Sequence, residues 1–167
     1  ISIYFNKIVI WRFEMSKKFK TYLKSIIVPV LIGSIVGFII SGSIDYNSLQ
    51  KPPLSPPSMT FPIVWTILYI LMGISYGILA SNSLVDSKIN SIYYLQLFFN
   101  ALWPIAFFLF KWRLFAFIWI IILAILIIIM IARFYEKHKT AAWLQVPYLL
   151  WTLFATYLNF GVYLLNR

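Results

Sequence analysis

The sequence predicts an all-α membrane protein, a bundle of five transmembrane helices. Of the 167 residues, 62% are hydrophobic and only 11% are charged, and the mean hydropathy is +0.89. Soluble domains carry about 25% charged residues, so this chain lacks the polar surface that water requires. Apolar runs of about 20 residues, the length that crosses the hydrocarbon layer, recur five times, over residues 25–44, 61–81, 92–110, 114–132 and 141–165.

The first apolar run admits two interpretations. Ser41-Gly42-Ser43 resembles the small-residue cleavage site of a signal peptide, although the run is long for one. The run also carries Gly33, Gly37 and Ser41 at four-residue steps, a stripe that suits close helix packing. We therefore interpret it as the first membrane helix.

The residues before this run contain a second possible start site. Met15-Ser16-Lys17-Lys18 resembles an ordinary bacterial N-terminus. We therefore expect residues 1–14 to be an upstream extension, followed by a single domain over residues 15–167.

The net charge of +10 is distributed unevenly. Five crossings place the basic residues before the first run on the same side as those after the fourth. This asymmetry predicts the N-terminus inside and the C-terminus outside. With the bacterial type of start at Met15, we expect the membrane to be a bacterial cytoplasmic membrane. The asymmetry explains the charge by topology and headgroup attraction, without nucleic acid as a partner. The inner group is Lys17, Lys18, Lys20, Lys24, Arg133, Lys137 and Lys139, and the outer group is Lys51, Lys111, Arg113 and Arg167.

A proline-rich connector precedes the second run. We call residues 51–57, Lys-Pro-Pro-Leu-Ser-Pro-Pro, the proline loop. Prolines fix φ and remove N–H donors, so this loop is expected to be stiff and non-helical. The next helix carries Pro62 near its start, where proline is tolerated. Its face of Trp65, Tyr69, Met72 and Tyr76 then forms an aromatic wall beside a stiff lid.

The later runs carry uncharged polar groups beside aromatic rings. No charged residue falls clearly inside a run, which disfavours an ion channel or proton-driven pump. Asn100 is equally consistent with a helix-packing contact and with a ligand contact. Pro104 predicts a kink or a loosened backbone hydrogen bond. The fourth run reads as scaffold or lipid face. The polar and aromatic stripes are Gln96, Asn100, Trp103 and Phe107 on the third run, and Pro147, Trp151, Ala155 and either Leu158 or Asn159 on the fifth.

These stripes converge on one kind of site. Three runs each contribute a tryptophan, with amide side chains nearby, under a stiff loop. Aromatic walls with few polar groups suit a flat, largely apolar ligand. The chain has no cysteine and one histidine, His138 in a basic connector, so no metal site is predicted.

The motifs resemble the TspO/MBR family, the tryptophan-rich sensory proteins also known as translocator or peripheral benzodiazepine receptor proteins. The resemblance spans essentially everything after Met15. It rests on Tyr46-x-x-Leu49-x-Lys51-Pro52 with Pro56-Pro57, Pro62-x-x-Trp65-Thr66-x-Leu68-Tyr69-x-x-Met72-Gly73, Asn100-x-x-Trp103-Pro104-x-x-Phe107-Phe108, and Pro147-Tyr148-x-x-Trp151-x-x-Phe154-Ala155-x-x-Leu158-Asn159.

The resemblance implies a five-helix bundle, often a homodimer, that needs no cofactor. Its implied ligands are protoporphyrin, haem and other tetrapyrroles, sterols, and synthetic ligands of the benzodiazepine site. The ligand-binding residues that it implies here are Tyr46, Pro56, Met59, Trp65, Tyr69, Asn100, Trp103, Trp151 and Ala155.

The chain departs from the family pattern at three positions. Asp45 and Leu54 stand where the family usually has tryptophans, so weaker binding of planar ligands is expected. Phe160 replaces the usual tyrosine of the sterol motif, although Tyr163 and Arg167 keep a loose version of it. Sterol binding is not predicted.

The preferred function is a membrane protein that binds and senses tetrapyrroles. One alternative is a light-dependent porphyrin-degrading enzyme. Because the sequence offers no metal site and no acid–base pair, its chemistry would come from the excited porphyrin, with Trp65 and Trp151 as redox-active walls. Another alternative is a small-molecule or lipid transporter.

Overall fold

The computed structural model confirms an all-α fold with five membrane-spanning segments. It describes the backbone of residues 2–167 and the side chains from Glu14 onward. Among these residues the segments long and apolar enough to cross a membrane are Glu14–Ser43, Thr60–Ser81, Ser87–Leu109, Arg113–Lys137 and Lys139–Leu165. The helices are α1 (Ser2–Ile40), α2 (Thr60–Ser81), α3 (Ser87–Pro104), α4 (Arg113–Lys137), α5 (Lys139–Trp143) and α6 (Val146–Leu165).

The expectation for residues 1–14 stays a prediction. Apart from Glu14, these residues lie outside those whose side chains are described. The first apolar run belongs to α1, which packs along α2.

Two helix boundaries differ from the predicted runs for identifiable reasons. α3 begins at Ser87 because Asp86 caps it, accepting the backbone N–H of Ile89 at 2.8 Å. This hydrogen bond, with the ammonium group of Lys137 at 3.0 Å, holds the pKa of Asp86 below its ordinary value. The last span is two helices, α5 and α6, and Pro147 lies in the first turn of α6, where its missing N–H costs no hydrogen bond.

Pro104 loosens the backbone at the end of α3, as the sequence predicted. A π-helical turn, Ile105–Leu109, follows it directly. The chain then reverses at Lys111, whose φ of 57° lies in the left-handed region. This reversal places the start of α4 at the same end of the bundle as the segment between α1 and α2, residues 44–59, which we call the first loop.

Glycines on α2 bring α1 and α2 close together. A Cβ on Gly73 would lie 2.7 Å from the backbone oxygen of Ser25, and one on Gly77 would lie 2.7 Å from the ring of Tyr22. On α1, Gly33 accommodates the ring of Tyr69, whereas a Cβ on Gly37 would meet nothing within 4 Å. The small-residue stripe of α1 is therefore only partly used in packing, and the rest borders open space.

α4 is the scaffold of the other half of the bundle, packing against both α3 and α6. Its inward stripe includes Ile120, Leu123 and Ile127, which are fully buried. Its other face carries half-exposed isoleucines, as expected of a helix with one lipid-facing side. This helix fixes the position of α3 and α6 behind the site described below.

We predict that Gly73→Val destabilises the bundle by forcing α1 away from α2. The added atoms meet backbone, which cannot rotate away, so a cost of about 1–3 kcal/mol is expected. Thermal unfolding in detergent, followed by circular dichroism, should show a lower midpoint. Gly37→Ala is the matched control, because its methyl group enters open space. An equal loss of stability in both variants would contradict the packing described here.

Candidate functional site

A cavity of about 610 Å³ lies between α1, α2 and α3, below the first loop. Small-molecule sites typically span about 300–1,000 Å³, so its size suits one such ligand. Six aromatic side chains form much of its wall, and none of its lining residues is charged. The lining residues are Val30, Gly33, Ser34, Val36, Gly37, Ile40, Ile44, Tyr46, Asn47, Ser58, Met59, Phe61, Pro62, Trp65, Thr66, Tyr69, Asn100, Trp103, Pro104 and Phe108.

The structure brings together most of the sequence-predicted ligand residues. Those that line the cavity are Tyr46, Met59, Trp65, Tyr69, Asn100 and Trp103. Three others, Pro56, Trp151 and Ala155, do not line it.

Trp151 lies elsewhere because the stripe on α6 rotates around the helix. Residues at four-residue steps drift by about 40° per step, so positions 151 and 159 do not share one direction. Ala155 and Asn159 are buried in the bundle, whereas Trp151 lines a separate apolar groove of about 420 Å³ with residues of α2. The expectation that Trp65 and Trp151 form opposite walls of one pocket is therefore corrected.

The first helix supplies a wall that sequence reasoning missed. Six residues of α1, from Val30 to Ile40, line the cavity, and Ile44 follows them. The sequence feature that corresponds to this wall is the stripe of Gly33 and Gly37, which predicts close helix packing and does not by itself indicate a cavity. Phe61, at the start of α2, was also missed, and its ring lies 5.0 Å from that of Tyr46.

Trp65 is the centre of the aromatic wall. Its ring centroid lies 5.7 Å from that of Tyr69 and 6.4 Å from that of Trp103. The indole N–H of Trp103 donates to Oδ1 of Asn159 at 3.0 Å, so it is already used. The indole N–H of Trp65 has no hydrogen-bond partner among the described residues. Trp65 thus combines a π-face with an available donor.

A buried hydrogen-bond chain fixes this wall from behind. The hydroxyl of Tyr69 donates to Oδ1 of Asn100 at 2.7 Å. Nδ2 of Asn100 donates to the hydroxyl of Tyr148 at 3.0 Å, and this hydroxyl donates to Oε1 of Gln96 at 2.9 Å. Asn100 therefore both lines the cavity and holds α2, α3 and α6 together.

Tyr46 joins the cavity to the proline loop. Its hydroxyl donates to the backbone oxygen of Pro56 at 2.8 Å. Burial raises the pKa of Tyr46, while a hydrogen bond with Ser55 opposes this shift. The phenol therefore stays protonated and remains a donor at neutral pH. The ammonium group of Lys51 binds the backbone oxygens of Tyr46 and Leu49, at 3.1 and 3.2 Å.

The first loop is docked on α6 at three points. Gln50 and Asn166 exchange two hydrogen bonds, of 3.0 and 2.8 Å. The hydroxyl of Tyr157 donates to the backbone oxygen of Pro53 at 2.9 Å. Pro52 packs against α6 at Gly161. A Cβ built on Gly161 would lie 2.6 Å from the Cβ of Pro52. The cover over the cavity is therefore held in place by the bundle.

Asp45 and Leu54, which stand where the family usually has tryptophans, do not line the cavity. The carboxylate of Asp45 pairs with Arg113 at 3.1 Å and Lys111 at 3.3 Å. Leu54 is 83% exposed at the loop tip, with a φ of 65°. Asp45 therefore anchors the first loop to the start of α4 instead of lining the cavity.

Comparison with known proteins adds independent information. A family model described as the TspO/MBR family matches residues 25–165. The tryptophan-rich protein TspO of Archaeoglobus fulgidus is 39% identical over 145 residues, covering 85% of this chain and 94% of that protein. Its namesake from Chlorobaculum tepidum is 36% identical, covering 72% and 78%. The translocator protein of Sus scrofa is 31% identical, covering 82% and 87%.

We predict that Tyr148→Phe destabilises the protein by breaking the buried hydrogen bonds that join Asn100 to Gln96 through Tyr148. It leaves Nδ2 of Asn100 and Oε1 of Gln96 without their partner, and each buried unsatisfied group costs about 1–3 kcal/mol. The thermal midpoint in detergent should fall. Tyr163→Phe is the control, because the structure gives this half-buried hydroxyl no hydrogen bond to a described residue. If both variants unfold at the same temperature as the unmodified protein, these hydrogen bonds do not stabilise the bundle.

Proposed function

This chain belongs to the TspO/MBR family, and from that premise we propose that it binds and senses a tetrapyrrole of the protoporphyrin type within the membrane. The observation that carries the proposal is the uncharged aromatic cavity of about 610 Å³ between α1, α2 and α3. A flat, conjugated ring gains most from such walls, because stacking and apolar burial add over its whole face.

The few polar groups of the cavity suit the edge of such a ligand. Asn47 and Ser58 lie in the first loop, at the end of the cavity near the membrane surface. Carboxylates on a tetrapyrrole edge would lie there, where water and headgroups lower the cost of charge. The indole N–H of Trp65 would meet an acceptor deeper in the cavity. Side-chain positions therefore support one orientation, with the apolar edge inward.

Stacking and hydrogen bonds would hold the ligand without an axial histidine. None of the cavity-lining residues is a histidine or cysteine. His138 lies between the end of α4 and the start of α5, at the opposite end of the bundle from the first loop. Metal-free protoporphyrin should therefore bind at least as well as haem.

The alternatives share this cavity but gain less support from its geometry. The photochemical hypothesis requires Trp65 and Trp151 as walls of one site. Trp65 lines the cavity, but Trp151 lies outside it. Transport through the bundle would require a route to the opposite membrane surface, and the cavity lining extends only as far as Val30, Tyr69 and Asn100. We also propose the homodimer that the family implies, and a cytoplasmic-membrane topology with the N-terminus inside, based on the basic residues before the first span and after the fourth.

We predict that Gly37→Phe weakens protoporphyrin binding at least tenfold, because the new ring would fill open cavity space. Titration of tryptophan fluorescence against protoporphyrin in detergent measures the affinity. Gly42→Phe is the matched control: its Cβ also meets nothing within 4 Å, but Gly42 does not line the cavity. Both variants should keep the helical content of the unmodified protein.

Two outcomes of this titration would refute the proposal. One is the absence of saturable quenching in the unmodified protein. The other is equal affinity in the Gly37→Phe and Gly42→Phe variants, which would place the ligand outside this cavity.

We predict that replacing Pro56 and Pro57 together with glycine lowers affinity while helical content stays constant. The glycines add conformational freedom to the unbound loop, and ligand binding must then remove it. Pro53→Gly is the control, because the backbone oxygen of Pro53 is bound by Tyr157 of α6, whereas that of Pro56 is bound by the cavity residue Tyr46. Isothermal titration calorimetry should show a more unfavourable binding entropy only in the double variant. Unchanged affinity would show that the loop is only a connector.

A further inference from the structure

A second site lies at the end of the bundle that carries the first loop. It is a groove of about 380 Å³ where α4 begins and α6 ends. It shares no lining residue with the aromatic cavity. Because two membrane spans terminate here, the groove lies at the depth of the lipid headgroups. Its lining residues are Lys111, Trp112, Arg113, Leu114, Phe115, Tyr163, Asn166 and Arg167.

The groove carries more positive charge than its surroundings neutralise. Lys111 and Arg113 share one carboxylate, that of Asp45, at 3.3 and 3.1 Å. Arg167 forms no ion pair with a described residue. Among the described side chains, three cations thus face one carboxylate, that of Asp45, and an anionic ligand would balance the remainder.

Unpaired donors also point to a bound acceptor. Nε of Arg113 is buried and has no hydrogen-bond partner among the described residues. A buried N–H on a charged group is costly unless an acceptor reaches it. α4 begins beside it without a side-chain cap, so the N–H groups of its first turn add the positive end of the helix dipole.

Apolar side chains continue from this basic region along the outside of α4. Trp112, Leu114 and Phe115 are each about half exposed, between 45% and 58%. A soluble anion would leave this surface uncovered, whereas an anion with hydrocarbon chains would use both parts of the groove. The combination therefore selects a lipid.

We propose that this groove binds the headgroup phosphate of an anionic phospholipid. The phosphate lies between Lys111 and Arg167, beside the guanidinium group of Arg113. The acyl chains run along Leu114 and Phe115. Interfacial Trp112 and Tyr163 flank the glycerol region, where amphipathic rings are favoured.

A single fluorescent label can report on this site, because the chain contains no cysteine. We place an environment-sensitive dye on Ile118→Cys in the full chain, in neutral detergent, because Ile118 is half exposed one turn beyond Leu114 and does not line the groove. Dioctanoyl phosphatidylglycerol should give a saturable spectral shift. Dioctanoyl phosphatidylcholine, with the same chains but no net charge, should bind more weakly. Inorganic phosphate at the same concentrations should give no shift.

Charge-removing variants locate the binding. Lys111→Gln with Arg167→Gln should weaken the phosphatidylglycerol response about 25-fold, about fivefold for each basic group near a headgroup. Arg133→Gln with Lys139→Gln removes equal charge at the opposite end and should leave the response unchanged.

Three results would overturn the proposal. They are the absence of a saturable shift with phosphatidylglycerol, equal affinity in the Lys111→Gln/Arg167→Gln variant, and an equal response to phosphatidylcholine. A response to inorganic phosphate that matches phosphatidylglycerol would assign the groove to a free anion and would also refute the lipid assignment.

Discussion

The rest of this structure depends on one constraint: a polar group inside the bilayer is costly unless it finds a partner, and most of the polar side chains around the cavity find theirs within the protein. The hydroxyls and amides of Tyr69, Asn100 and Tyr148 meet this constraint by bonding one another, which joins α2, α3 and α6. Trp103 and Asn159 meet it in the same way, and Asn159 continues to the backbone oxygen of Arg113 at 2.8 Å. These bonds fix the orientation of the cavity wall before any ligand binds, so binding need not order it.

The cavity exists because the other wall lacks side chains. Gly33 admits the ring of Tyr69, and Gly37 leaves open space beside it, so α1 follows α2 closely along one stretch and borders the cavity along the next. The first loop borders the outer end of the cavity and is held on α6 through Asn166 and Tyr157. Rigid walls with a docked cover suit a protein that recognises one flat ligand shape.

The sequence predicted the fold well because apolar run length reflects a single physical requirement, the bilayer thickness. Helix spacing and the family motifs also identified Trp65, Tyr69 and Trp103, although Met72 and Tyr76, on the same predicted face of α2, do not line the cavity. The sequence misplaced Trp151, because a stripe at four-residue steps drifts around α6, so Trp151 faces a groove with α2 while Asn159 is buried in the bundle. It missed the wall from α1, because a glycine stripe reads alike whether it packs against a neighbour or borders a space. The ion pairs of Asp45 with Lys111 and Arg113 could not be predicted either, because they depend on the backbone reversal at Lys111.

The most direct test of the account is whether protoporphyrin protects a residue of the cavity mouth. Met59 lines the cavity, whereas Leu54, on the same loop and similarly exposed, does not. In this cysteine-free chain, Met59→Cys and Leu54→Cys each provide one thiol whose alkylation rate by a small maleimide can be measured with and without saturating protoporphyrin. The account predicts that protoporphyrin slows alkylation at position 59 and leaves the rate at position 54 unchanged. Unchanged rates at both positions, or equal protection of both, would contradict it.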